Sequence, residues 1–285
     1  MAKVREVISC TPVVLPKDLQ VQAAHYAVSL NPVNAPQGLV DPAFLAFYAS
    51  KYWGAKGADL SVGFTEPIAA DLRDRILSHA NSWGAFANVK FRWTQQMAAA
   101  DIRVTREQQG YWSYLGTDCR SIPRSQPTLC LQGFTMRTSE GEYKRVVRHE
   151  FGHALGCPHE QQRRAVLARL DVKKTIEYFG RTQGWDENQV RQQILTPLEE
   201  NSILGSSFTD ETSIMCYQFP ASITLDGKPI LGGMDFSKVD REHAAKIYPL
   251  PGGPVTPPPE PDVWYLKSYD KDGKELDTFV RKVVV

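Results

Sequence analysis

The chain has 285 residues, 42% of them hydrophobic and 23% charged, with a formal net charge of +1. That length suits one large domain or two small ones, and that apolar share suits a sizeable buried core. A near-neutral balance argues against nucleic acid or an anionic membrane as partner, and no apolar run is long enough to span a bilayer.

The opening "MAKVREVISCTPVVLPKDLQ" has no long apolar stretch and no small-residue cleavage site, so no secretory signal is read there. The compartment stays open between the cytoplasm and export by another route. Residues 1–50 read as an N-terminal extension. A short helical pattern ends in the Pro/Asn-rich "NPVNAPQG", and a second one comes next in "DPAFLAFYASKYWG". The segment "FLAFYASKYW" is apolar enough that the extension is expected to pack on the neighbouring domain, with a pro-segment as one role open to it.

A domain is expected over 51–250. Leu60, Val62 and Phe64 alternate with smaller residues, as in a strand. In "TEPIAADLRDRILSHANSW", Leu72, Ile76, Ala80 and Trp83 form one apolar helix face, with Thr65 as N-cap and Pro67 in the first turn. Val89, Phe91 and Trp93 predict a half-buried strand, Ile102 and Val104 another, and "PTLCLQGF" a short edge strand. Ser139 and Glu142 fit a capping box, so a helix carrying His149 should begin there. Asp186 and Gln189 fit a second box, flanked by Trp185 and Val190. "SKVDREHAAKIY" reads as the last helix, residues 251–262 as a stiff Pro-rich linker, and residues 263–285 as a hairpin-like tail.

Five cysteines is an odd count: Cys10, Cys119, Cys130, Cys157 and Cys216. Cys119 and Cys130 could close a short loop, or all could be reduced thiols in a core. No CxxC pair points to a cysteine zinc site.

Three of the six histidines fall in "HEFGHALGCPHE". On a helix, residues four apart share a face, so His149 and His153 can address one ion, with Glu150 beside it. HExxH is a zinc pattern in which the Glu acts as general base. Gly156 accepts a left-handed backbone, which lets the helix stop and His159 approach the ion from another side; Pro158 also opposes continuation. Three neutral nitrogens leave a fourth position open, the layout of a catalytic zinc site.

With HExxHxxGxxH, and with Met215 in "SIMCY" downstream, the sequence resembles the metzincin zinc peptidases. The pair His159–Glu160, and Tyr217 two residues after the methionine, resemble the astacin branch. "WSYLGTD", "GWDENQV" and "SITLDGKPI" are similar to bacterial and fungal astacin-like enzymes, and the likeness runs from about Lys51 to Pro249. The resemblance implies an α+β fold of the zincin type. A twisted sheet with two long helices would form an upper subdomain, and the Met-turn and C-terminal helix a lower one, with a zinc cleft between. It implies one catalytic Zn²⁺ on His149, His153 and His159, Glu150 as general base, and Met215 as the apolar floor. Tyr217 would be a weak extra ligand that turns to the oxyanion. The activity implied is endopeptidase, acting on a protein or peptide held extended along the edge strand near Pro127–Phe134. A zinc-binding, toxin-like module with little turnover is the alternative; Glu150 argues against it, because a structural site needs no base.

The chain departs from the astacin pattern at Cys216, where astacins usually have His, and at Cys157–Pro158 before the third ligand. In mature astacins the counterpart of Glu160 pairs with a freshly cut N-terminus, whereas residues 1–50 precede the domain here. Cys10 as a cap on the metal has no surrounding motif to support it. His25, His79 and His243 read as isolated side chains, and the basic run "YKRVVRHE" as a solvated helix face.

Overall fold

The computed structural model describes residues 10–11, 13–35, 49–54, 56–197 and 209–252, together with the backbone of two strands at 264–269 and 275–281. A five-stranded sheet is the frame. In chain order its strands are β1 (Ala58–Phe64), β2 (Val89–Trp93), β3 (Ile102–Thr105), β4 (Tyr111–Ser113) and β5 (Leu129–Leu131). They lie in the order β2-β1-β3-β5-β4. The β1–β2, β1–β3 and β3–β5 pairs are parallel, and β4 runs antiparallel to β5.

This corrects the expected edge. The "PTLCLQGF" strand is interior, paired on both sides, and β4 closes the sheet. Three residues are too few for alternation to announce a strand. All four residues of β3 are buried. Among them, Arg103 is satisfied by carbonyls of Gln126 at 2.7 Å, Ile122 at 3.1 Å and Cys119 at 3.3 Å. A buried cation needs such partners.

Helix α1 (Lys17–Leu30) belongs to the N-terminal extension. Its buried face is Ala23, Ala24 and Ala27, small enough for close approach. Two asparagines then tie the extension to the domain. Asn31 Nδ2 donates to the Trp53 carbonyl at 2.6 Å. Asn34 donates to the Tyr52 carbonyl at 2.7 Å and accepts from the Tyr52 amide at 3.0 Å. The first half of "FLAFYASKYW" lies outside the described residues.

Helix α2 spans Ala70–Ala80 and buries Leu72, Ile76 and Ala80. Its N-cap is Ala69, not Thr65. The Thr65 amide bonds Val104 O at 2.9 Å, extending the sheet, and its hydroxyl donates to Glu66 at 2.7 Å. A residue before proline is biased to extended backbone, so Pro67 holds off the helix. Helix α3 starts on Ser139, whose hydroxyl accepts the Glu142 amide at 3.3 Å. It runs through Glu140–Glu142, a π-helical turn at Tyr143–Val147, and Arg148–Ala154. Phe91 of β2 meets Phe151 of α3 edge to face, with ring centroids 4.8 Å apart.

Two large apolar clusters frame the site. The upper one joins the sheet, α2 and α3, and includes Trp83, Phe151, Ile214 and Met215. The lower one holds Leu170, Phe179, Val190, Phe219 and Ile230, with Cys216 and Tyr217. The segment 213–217 therefore spans both. Below it lie α4 (Val172–Gln183) and, after the Asp186–Gln189 capping box, a short turn of helix at Glu187–Val190. Helix α5 (Lys238–Ile247) opens on a further box between Ser237 and Asp240. The backbone of β6 (Trp264–Tyr269) and β7 (Glu275–Arg281) pairs antiparallel; the "DKDG" between them is outside the described residues. No described helix is long and apolar enough to cross a membrane. All five cysteines are free thiols, so the Cys119–Cys130 loop is not closed.

Candidate metal centre

His149 and His153 stand one turn apart on α3. The helix stops at Leu155, and Gly156 turns the chain with φ +99°. A Cβ at Gly156 would sit 2.9 Å from the Tyr52 ring and 3.1 Å from the Lys51 carbonyl, so glycine is required twice over. The turn brings Cys157 O to 2.8 Å from His153 Nδ1 and returns His159 to the helix. The three Nε2 atoms converge: His149 to His153 3.0 Å, His153 to His159 3.0 Å, His149 to His159 3.2 Å.

That convergence fits a metal. Nitrogens about 2.0–2.1 Å from one tetrahedral zinc stand roughly 3.3 Å apart. His149 Nδ1 is 2.6 Å from Ile214 O and His153 Nδ1 is 2.8 Å from Cys157 O. Each carbonyl can only accept, so Nδ1 carries the proton and Nε2 keeps its lone pair for an ion. Burial holds all three imidazoles neutral: His153 is lowered to about 4, and His149 and His159 lie well below their ordinary value. Neutral imidazole is the ligand form.

Under the histidines runs the turn at Ser213–Tyr217. Met215 sits so close to α3 that a Cβ on Gly152 would meet its sulfur at 2.6 Å. The Glu160 amide bonds Met215 O at 3.0 Å, stitching the third-histidine segment to the turn. The Glu160 carboxylate, whose counterpart in mature astacins pairs with a cut N-terminus, is here paired with Arg163 at 2.6 Å and accepts the Asp210 amide at 3.0 Å.

Glu150 is buried beside the first histidine, and burial pushes its carboxyl up to about 8 against the pull of Cys10 and Arg145. Arg145 and Arg148 correct the reading of the basic run. Their side chains are 16% and 13% exposed, so they are not a solvated face. Arg145 lines the cleft, held by Glu142 at 2.6 Å, and Arg148 pairs with Asp235. His79 is also tied, 3.4 Å from Glu140.

The residue that sequence reasoning set aside is Cys10. Its thiol donates to Glu150 Oε2 at 3.5 Å. Its sulfur and the three histidines form one buried group whose ligand atoms all lie within 4.8 Å. Its carbonyl accepts the Tyr217 hydroxyl. The backbone at Cys10 bridges Tyr111 in the parallel sense, and the Thr11 amide bonds Tyr111 O at 2.8 Å. Tyr217 packs edge-on against His159, centroids 4.7 Å apart, with its phenol on the extension instead of in the histidine group. The odd cysteine count was the one signal in the sequence; "ISCTP" carries no periodic or spacing pattern.

A family model described as Astacin, a peptidase family, matches residues 48–248. No curated protein matches the chain significantly. Two solved structures of myroilysin are similar to it. One is 29% identical with a TM-score of 0.65, covering 70% of this chain and 96% of that one. The other is 26% identical with a TM-score of 0.54, covering 86% and 100%.

Proposed function

Because the chain belongs to the astacin family of zinc metalloendopeptidases, we propose that His149, His153 and His159 hold its catalytic zinc, and that this fold is its latent form. The observation that carries the first part is the convergence of three buried, neutral Nε2 atoms at 3.0–3.2 Å. A bound zinc supplies Lewis-acid polarisation of the scissile carbonyl and of the attacking water. Glu150 accepts a proton from that water and passes it to the leaving amide nitrogen. Tyr217 donates its hydroxyl to the oxygen that gains charge. Its present bond to the Cys10 carbonyl supports this, since a peptide carbonyl is the same acceptor chemistry. Met215 is the floor, and Gly156 the hinge that returns the third ligand.

Latency rests on the positions that Cys10 and Thr11 occupy. They cover the open edge of β4, the phenol of Tyr217 and the carboxylate of Glu150 together. A substrate pairing with that edge meets it already filled. Residues 1–50 therefore act as an inhibitory pro-segment, with 51–250 as the peptidase domain, 251–262 as a linker and 263–285 as an appended tail.

The test is hydrolysis of unfolded casein by the chain carrying Cys10→Ala, with and without a chelator. Turnover that stops with the chelator and returns with zinc is expected. Turnover that survives metal removal overturns the assignment.

A further inference from the structure

We propose that Ser213 and Asp240 are positioning residues for His149, acting through the peptide between Ile214 and Met215. The inference rests on the reading that His149 is a metal ligand.

The hydrogen bonds run in one line. His149 Nδ1 donates to Ile214 O at 2.6 Å. The amide of the same peptide unit, Met215 N–H, donates to Ser213 Oγ at 3.0 Å. The Ser213 hydroxyl donates to Asp240 Oδ1 at 2.6 Å. Every donor points away from the metal side, and a buried carboxylate ends the chain. The other oxygen of Asp240 clamps the start of the turn through the Ile214 amide at 2.8 Å, and the start of α5 through the Ser237 amide at 2.9 Å.

A charged acceptor strengthens the bond next to it, and chained bonds polarise one another. Negative charge at Asp240 makes Ile214 O a better acceptor. That fixes the proton on Nδ1, sets the ring plane and raises the basicity of Nε2. It is the arrangement of a carboxylate behind a metal-binding histidine, with a hydroxyl and a peptide unit interposed.

His153 offers a contrast inside the same molecule. Its carbonyl partner belongs to Cys157, and the next nitrogen is that of Pro158, which has no hydrogen to pass on. That bond is 2.8 Å long, against 2.6 Å at His149. Of these two ligands, the relay serves His149.

Two serine substitutions separate positioning from scaffolding. Ser213→Ala breaks the relay. Ser237→Ala removes a hydroxyl from the same neighbourhood that accepts the Asp240 amide and donates to Asp210, but that makes no bond to the Asp240 carboxylate or to the peptide between Ile214 and Met215. Zinc affinity of the full chain is read by competition with a chelator, and cobalt substitution reports the ligand field by its visible absorption. Ser213→Ala is expected to weaken zinc binding about 10–100-fold and to shift the cobalt bands. Ser237→Ala is expected to lower the melting temperature while leaving both unchanged.

Wild-type zinc affinity in Ser213→Ala, or equal loss in the two variants, overturns the proposal. Should Ser213→Ala not fold, Asp240→Asn decides: it keeps the shape but removes the charge, and unchanged affinity and cobalt spectrum overturn the proposal. A wild-type chain that binds no zinc overturns the ligand assignment beneath it, which is a distinct result.

Discussion

The thiol of Cys10 lies 3.5 Å from the carboxylate of Glu150, across 140 residues of chain. Burial and the neighbouring Glu150 hold that thiol well above its ordinary value. A cation among the three histidines would invert this, since a coordinating thiol is deprotonated outright. On the proposed function, this contact would couple metal loading, the state of the base and the seat of the extension.

Removing the thiol should release the site. Cys10→Ala in the full chain is expected to raise casein hydrolysis at least about tenfold per bound zinc, which needs a latch of only about 1.4 kcal/mol. Initial rates normalised to metal content check it. Equal rates in the two proteins would mean that this cysteine does not hold the site closed.

Glu150→Gln, made in the Cys10→Ala background so that latency does not mask it, keeps the side-chain shape and loses the base. Zinc should stay near one per chain while turnover falls by about 10²–10⁴ or more. Metal analysis and single-turnover rates decide this, and near-normal turnover would remove Glu150 from the chemistry.

Tyr217→Phe in the same background deletes one oxygen and little packing. With KM little changed, kcat should fall by at least about tenfold and up to the 10²–10³ typical of one oxyanion donor. An unaltered kcat would leave the ring as packing against His159, where it now lies 4.7 Å away.

Gly156→Ala tests the turn. Its φ of +99° and the Tyr52 ring at 2.9 Å leave no room for a methyl group. A destabilisation of roughly 1–3 kcal/mol is expected, with reduced zinc occupancy as His159 is displaced. Thermal unfolding and metal analysis measure the two effects, and a full-strength zinc site in this variant would show that the turn tolerates a side chain.

The features legible in the sequence are those that a few neighbouring residues can enforce. Four-residue spacing on a helix puts His149 and His153 on one face, and a glycine three residues later permits the left-handed turn that follows the helix. The Asp186–Gln189 box and the apolar face of α2 are equally local, and both could be read from residue order. Contacts with no such period were decided by the tertiary structure alone. The three residues of β4 become a strand only because β5 lies beside them. Thr65 does not cap α2, which begins at Ala70 with no side-chain cap, and the sheet claims the Thr65 amide. Ser213 meets Asp240 across 27 residues, and Cys10 meets Glu150 across 140. Long-range pairs like these are selected by packing, where loop closure costs entropy that only the assembled core repays, so nothing in the spacing of nearby residues records them.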